Sequence, residues 1–468
     1  MIDEHLAFLD ASDLAKMIAK RKISSLELTE LYLHRLDTYG KTYGAVVTVM
    51  HERARREAKA ADRELAAGHS RGPLHGIPYG VKDLLAAVGA PTTWGAAPFR
   101  DQVFSYDGTV VQKLHAAGGV LLAKLAMVEL AGGFGYNDAD ASFTGPGRTP
   151  WNRDFWSGGS SSGPGASVAA GLVGFAIGSE TNGSITVPSA FCGVSGLRPT
   201  YGRVSRHGAM ALMWTSDKLG PICRSSRDTE VVLRAIAGHD PRDRTSVANA
   251  PAPTVRARRP KVAVFKDATA KSQPAVAKNF TASLAVLREF CDVTDGFELP
   301  KHHPYGAVFG ALIGGEGASA FRGLIESGRS RELQSVDDRI GGYQLLATLA
   351  VDYLDAMRRR AFIDADVKKS LAPYDAVVYP TLPTVAYPVN LSFDKAYPKF
   401  PGSVDAGTPG NLAGVPATSI PNGFGENGLP TGLAFMGGPW SEYILTQIAK
   451  GYQSRTDFHK RHPKLIVA

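Results

Sequence analysis

The 468-residue sequence holds only three cysteines, Cys192, Cys223 and Cys291, far apart and at no metal-binding spacing. They cannot all pair with one another, which fits a reducing compartment better than a disulfide framework. No apolar run approaches the ~18 residues that span a bilayer. The opening MIDEHLAFLDAS has no basic region followed by an apolar stretch, so a cytoplasmic protein without membrane contact is expected. Long Lys/Arg blocks are missing too. The net charge of +8 is mild for this length, and Arg53, Arg55, Arg56, Lys59 and Arg63 alternate with Glu52, Glu57, Asp62 and Glu64. That interleaving reads as a solvated helix face, and no nucleic-acid partner is expected from it. There is no G-x4-G-K phosphate loop and no H-E-x-x-H, and Gly133-Phe134-Gly135 lacks the third glycine of a dinucleotide fingerprint. No metal and no cofactor is expected.

What is present describes a folded enzyme-sized chain. Apolar residues make up 44% and charged residues 21%, outside the disordered range. Helical spacing over residues 9–39 restarts at Ser24, with Glu27 three residues on as a capping box. A β-rich run at 45–50 and a helix at about 52–67 follow. Helical and strand patterns then alternate to a last helix at about 441–455, including helices over 274–291 and 342–370 and strands at 261–265 and 374–380. This alternation predicts an α/β fold with one large sheet, a single domain over 1–468. The Pro-rich stretch 239–260 reads as a surface connection. The segments 132–156 and 300–360 are expected to be variable loops shaping a pocket.

Residues 157–184, SGGSSSGPGASVAAGLVGFAIGSETNGS, carry hydroxyls at both ends and almost nothing polar between. Pro164 suits the first position of a helix, with Ser162 or Gly163 as its cap. Ten helical residues advance about 15 Å, and five extended residues return about 16 Å. Ser160 and Ser184 are thereby predicted side by side at one sheet edge. Upstream, GIPYGVKD places Lys82 in a rigid, apolar segment. Burial there would lower its pKa and free its lone pair. Gly159-Ser160-Ser161-Ser162-Gly163 also matches G-x-S-x-G with Ser161 at its centre. The residues before it make a poor strand, however, and the downstream histidines sit in polar surroundings.

GIPYGVKD, SGGSSSGPGASVAAG, GSETNGSITVPSAFCGVSGLRPTYGRVSRHG, YDAVVYPTLP and NLAGVPATSIPNG occur here in the order and spacing of one family. The chain resembles the amidase signature family of serine hydrolases over nearly its whole length. The resemblance implies a single mixed sheet flanked by helices on both faces. It implies Ser184 as nucleophile, Ser160 as a bridging serine after a cis peptide, and Lys82 as general base. It also implies an oxyanion hole from the N–H groups of Thr181, Asn182, Gly183 and Ser184, aided by a helix N-terminus just after Ser184. Ala131 and Gly132 would contribute to substrate binding.

The family often has Asp-x-Gly-Gly-Ser where this chain has Glu180-Thr181-Asn182-Gly183-Ser184, and a glutamine where Ala434 stands. Asparagine tolerates positive φ, so the turn is expected to survive. The leading expectation is an amidase for a small linear amide, releasing ammonia or an amine, with a homodimer possible. The alternative is the glutaminase (A) subunit of a tRNA-dependent amidotransferase, whose branch LRPTYGRVSRHG resembles. A catalytically dead binding scaffold is the remote third reading.

Overall fold

A computed structural model describes residues 3–248, 258–400 and 406–466. Eleven strands form one sheet: β1 Val46–Val49, β2 Pro78–Lys82, β3 Val120–Leu125, β4 Phe175–Glu180, β5 Ser195–Arg198, β6 Lys218–Cys223, β7 Lys261–Phe265, β8 Asp292–Phe297, β9 Ala376–Pro380, β10 Ala417–Phe424 and β11 Pro430–Met436. Their order is β1-β3-β2-β4-β6-β5-β10-β11-β9-β7-β8. The sheet is mixed. β2 runs parallel to β3 and β4, and β7 parallel to β8 and β9. The remaining pairs are antiparallel.

β3 (VLLAKL) and β9 (AVVYP) are buried along their whole length, the continuous apolar pattern of strands covered on both faces. Alternation along β7 and β9 shows this directly. Val262, Val264, Ala376 and Val378 face the cluster under the helices Pro274–Phe290 and Glu442–Gln453. Ala263, Val377 and Tyr379 face the larger cluster on the other side. There Ile363, Val367 and Leu371 of the helix Ala350–Leu371 are buried.

The Ser24–Glu27 capping box is present and opens the helix Ser25–Tyr39. Three expectations shift. Residues 300–360 are largely helical, with helices Tyr305–Ala320, Arg322–Glu326 and Val336–Leu345 before Ala350–Leu371. The glycine-rich apolar sequence of 305–320 has little helix propensity of its own, and packing stabilises it. The charged helix expected at 342–370 is two helices with a turn at 346–349. The helix of the Ser-rich stretch starts at Ser162, not Pro164, and its N-cap is Ser161. Of the connection expected at 239–260, residues 249–257 lie outside the described residues. Its first part is tied inward, Asp240 accepting from Ser205 Oγ and from Thr109 Oγ1.

Candidate active site

β2 and β4 are parallel neighbours, with Val81 opposite Ile177. Their C-terminal ends therefore place Lys82 next to Ser179 and the turn 181–184, the edge where open α/β sheets bind ligands. The helix Ser162–Ala169 starts at that edge and runs away from it. A turn through Gly171 reverses the chain, and β4 returns. This is the out-and-back path expected from the sequence, and it brings Ser160 and Ser184 together.

Lys82 Nζ donates to Ser160 Oγ at 2.7 Å and to Ser179 Oγ at 2.9 Å. Ser160 Oγ lies 3.0 Å from Ser184 Oγ. All four side chains are buried. The Gly159–Ser160 peptide is cis. Glycine is required at 159 because a Cβ there would lie 2.6 Å from the Trp156 ring and 2.8 Å from Val128. Burial pushes the Lys82 ammonium down to about 7, with Asp217 and Glu180 pulling weakly the other way. A lysine in that state is substantially neutral at ordinary pH and can accept a proton.

The turn before Ser184 is held from below. Glu180 is fully buried and accepts from Arg198 Nη1 at 2.9 Å and from the N–H groups of Ile185 and Thr186 at 2.9 and 3.1 Å. Burial alone would raise its pKa, but Arg198 and then Lys218 outweigh this and hold the carboxyl at about 2. The helix N-terminus expected to assist the oxyanion, Thr186–Cys192, thus has its first donors occupied by Glu180. The N–H groups of Asn182, Gly183 and Ser184 have no protein acceptor among the described residues. Gly183, at φ +85°, turns the chain. Asn182 does not adopt positive φ, contrary to the expectation. Its side chain instead bridges outward, donating to Thr408 Oγ1 at 3.1 Å and accepting from Asn411 Nδ2 at 3.1 Å.

Thr181 Oγ1 donates to Asp217 Oδ1 at 2.6 Å. Thr181, Ser179 and Ala131 line a cavity of about 390 Å³ whose far wall includes Met210, Leu212 and Trp214. Ala131 reaches it in a left-handed conformation, φ +57°. Gly132 is not in that lining. A Cβ there would meet the Tyr136 ring at 2.3 Å. Ser161, the centre of the G-x-S-x-G match, bonds the backbone of Ser179 in both directions, donating to its C=O at 3.2 Å, and no histidine partners it. The aromatics of 132–156 mainly pack: Trp156 stacks on Phe393 at 4.5 Å and sits edge-on to Phe191 and Tyr136.

Sequence reasoning missed Ser179, Asp217, Arg198 and Asn411. Ser179 had a signal, a hydroxyl closing an apolar strand. The others are brought in from the start of β6, from β5 and from the helix Gly407–Leu412, and no local pattern marks them. Asp83, beside Lys82, forms a separate buried ion pair with Lys124 at 2.7 Å.

The Amidase family model matches residues 27–445. The chain belongs to the amidase signature family. It is 36% identical to the glutamyl-tRNA(Gln) amidotransferase A subunit of Moorella thermoacetica, over 99% of this chain and 100% of that protein. Among solved structures it resembles the native peptide amidase of Stenotrophomonas maltophilia at TM-score 0.86 and 29% identity, covering 97% of this chain and 98% of the other. It also resembles the glutamyl-tRNA(Gln) amidotransferase A subunit of Thermotoga maritima at TM-score 0.78 and 27% identity, covering 100% and 99%.

Proposed function

We propose that this chain cleaves a carboxylic amide through an acyl-enzyme on Ser184. The observation that carries this reading is the continuous hydrogen-bonded line from Lys82 Nζ to Ser160 Oγ to Ser184 Oγ, at 2.7 and 3.0 Å. A hydroxyl can donate or accept, so the same contacts serve with the protons reversed once Lys82 is neutral. Lys82 takes the Ser160 proton as Ser160 takes that of Ser184. The freed oxygen attacks the amide carbon, and the carbonyl electron pair moves to oxygen. The unoccupied N–H groups of Asn182, Gly183 and Ser184 stabilise that oxyanion. Collapse breaks the C–N bond, and the proton returns through Ser160 to the leaving nitrogen. Water then repeats the sequence on the ester and releases the carboxylic acid.

Two roles are open to this chemistry. The similarity to an amidotransferase A subunit, 36% identical over nearly the whole chain, favours the glutaminase role, and we take that as the conclusion. Glutamine would be the amide, ammonia the product, and a partner protein required. A free-standing amidase is the second reading. It is favoured by the higher TM-score to the peptide amidase, 0.86 against 0.78. The test is a panel of glutamine, simple amides, anilides and carbamates, given to the purified chain. Glutamine cleavage that requires a partner supports the amidotransferase role. Amide cleavage by the chain alone supports the amidase. Turnover that survives Ser184→Ala overturns both.

A further inference from the structure

His302 and His303 stand side by side in the loop between β8 and the helix Tyr305–Ala320. Asp366 reaches them from the helix Ala350–Leu371, 63 residues along the chain. His303 Nε2 lies 2.9 Å from Asp366 Oδ2, and His302 Nε2 lies 3.6 Å from the same oxygen. One ring nitrogen of each histidine and a carboxylate oxygen fall within 4.8 Å of one another. The loop that carries the rings is held by its own bonds. Tyr305 Oη donates to the C=O of Pro300 at 2.8 Å, and the Tyr305 N–H donates to the C=O of His303 at 3.0 Å. The Tyr305 ring also meets the His303 ring edge-on at 5.6 Å. The His303 side chain is 9% exposed and that of His302 70%, so the cluster is walled on one side and open on the other. An ordinary ion pair does not account for it. His303 already gives Asp366 Oδ2 a partner, and a second imidazole at 3.6 Å is beyond hydrogen-bond reach of that oxygen. With both rings protonated, two cations would face each other at 4.1 Å between centroids. Among the described residues no Lys or Arg pairs with Asp366.

We propose that His302, His303 and Asp366 bind a zinc ion that staples the loop 298–304 to the helix Ala350–Leu371. A tetrahedral zinc with bonds of about 2.0–2.1 Å spaces its ligand atoms about 3.3–3.4 Å apart. The 2.9 and 3.6 Å between the ring nitrogens and Asp366 Oδ2 bracket that spacing. The ion takes the lone pairs of both neutral imidazoles and the carboxylate charge together, which removes the conflict between the two rings. The donor set selects the class of cation. Imidazole nitrogen suits zinc and its transition-metal neighbours, whereas calcium and magnesium call for oxygen ligands. Three protein ligands leave a fourth position, and the exposed side of His302 opens it to water. No spacing in the sequence marks the site, because its third ligand comes from another element. The stapled helix also carries Arg360, which donates to the C=O groups of Leu412 and Thr215. Thr215 follows Trp214, a wall of the candidate substrate cavity, so the ion braces the support of that wall. The site takes no part in the amide chemistry proposed above.

Calorimetric titration of zinc chloride into the untagged full chain, stripped with EDTA and returned to chelator-free buffer, tests this. One zinc per chain is expected, and the thermal unfolding midpoint should rise as zinc is added, because an ion that binds the folded chain stabilises it. His303→Gln and Asp366→Asn should each weaken binding by more than the about 10- to 100-fold that loss of a supporting group outside a ligand set costs. His34→Gln, on an exposed histidine of the helix Ser25–Tyr39, should leave the affinity unchanged. Circular dichroism checks that each variant is folded. His302→Gln, at the most exposed of the three positions, removes a ligand without disturbing packed atoms if another variant unfolds. A chain that takes up no zinc overturns the proposal, and so does zinc binding that survives all three substitutions in the cluster.

Discussion

Arg198 Nη1 meets Glu180 Oε1 at 2.9 Å, with both side chains almost wholly out of solvent. The pair is an anchor for the turn that leads to Ser184. One carboxylate oxygen takes Arg198 and Asn411, and the other takes the N–H groups of Ile185 and Thr186. The turn between Glu180 and Ile185 is thereby clamped at both ends, and the N–H groups of Asn182, Gly183 and Ser184 are left without a protein acceptor among the described residues.

Removing one member of such a pair strands a buried charge. Glu180→Ala is expected to lower stability by about 3–5 kcal/mol, read from the shift in the urea midpoint at constant slope. Because the turn loosens, kcat should fall together with stability. An unshifted midpoint would remove Glu180 as the anchor.

The pH dependence follows from Lys82. Its folded-state pKa of about 7 lies below the ordinary 10.5, and as the proposed base it must be neutral. The acylation rate should therefore rise with pH through about 7 and level off above. Stability moves in the same direction. Below pH 7 both states carry the proton, and the folded chain bears the full cost of a buried charge. Between pH 7 and 10.5 only the unfolded chain is protonated, and that cost falls away as pH rises. Lys82→Met should thus gain up to about 5 kcal/mol over the parent near pH 6, with the gain vanishing towards pH 10. Denaturant titrations at the two pH values compare them.

In the proposed mechanism Ser184 and Ser160 have separable tasks. Ser184→Ala should remove up to roughly 10^6-fold of the rate, as nucleophile removal does elsewhere, and leave no acyl-enzyme in intact-mass spectra after a quench. Ser160→Ala should cost about 100- to 10,000-fold and still acylate slowly at Ser184. Equal loss of acylation in both would contradict a relay.

Asn182 is a test of positioning. Its backbone needs no left-handed freedom, and two hydrogen bonds are lost, so Asn182→Gly should lower stability by about 1–3 kcal/mol. It removes the bridges to Thr408 and Asn411. KM is expected to rise while kcat stays within a few-fold. A collapse of kcat at unchanged KM would instead assign the Asn182 side chain to the oxyanion turn.

Much of this was legible in the sequence where the signal is local. The capping box at Ser24, the apolar runs of β3 and β9, and the helix–strand pair returning Ser160 to Ser184 follow from periodicity and chain geometry. The burial of Lys82 follows from its rigid, apolar setting. Residues 300–360 were misjudged because a glycine-rich helix has no intrinsic preference and forms only where glycine lets Thr348 and Tyr353 pack closely at Gly314 and Gly315.

The sequence by itself determined the chemical groups and their order along the chain: two serines 24 residues apart, a lysine upstream and a glycine-bearing turn. The tertiary structure decided their working state. Parallel pairing of β2 with β4 brings Lys82 to Ser160 and Ser179 and removes it from water, and desolvation is what lowers its proton affinity. Arg198 arrives from β5 to hold Glu180, and Asn411 arrives to hold Asn182. Those partners lie 18 and 229 residues away, so only the folded chain could choose them.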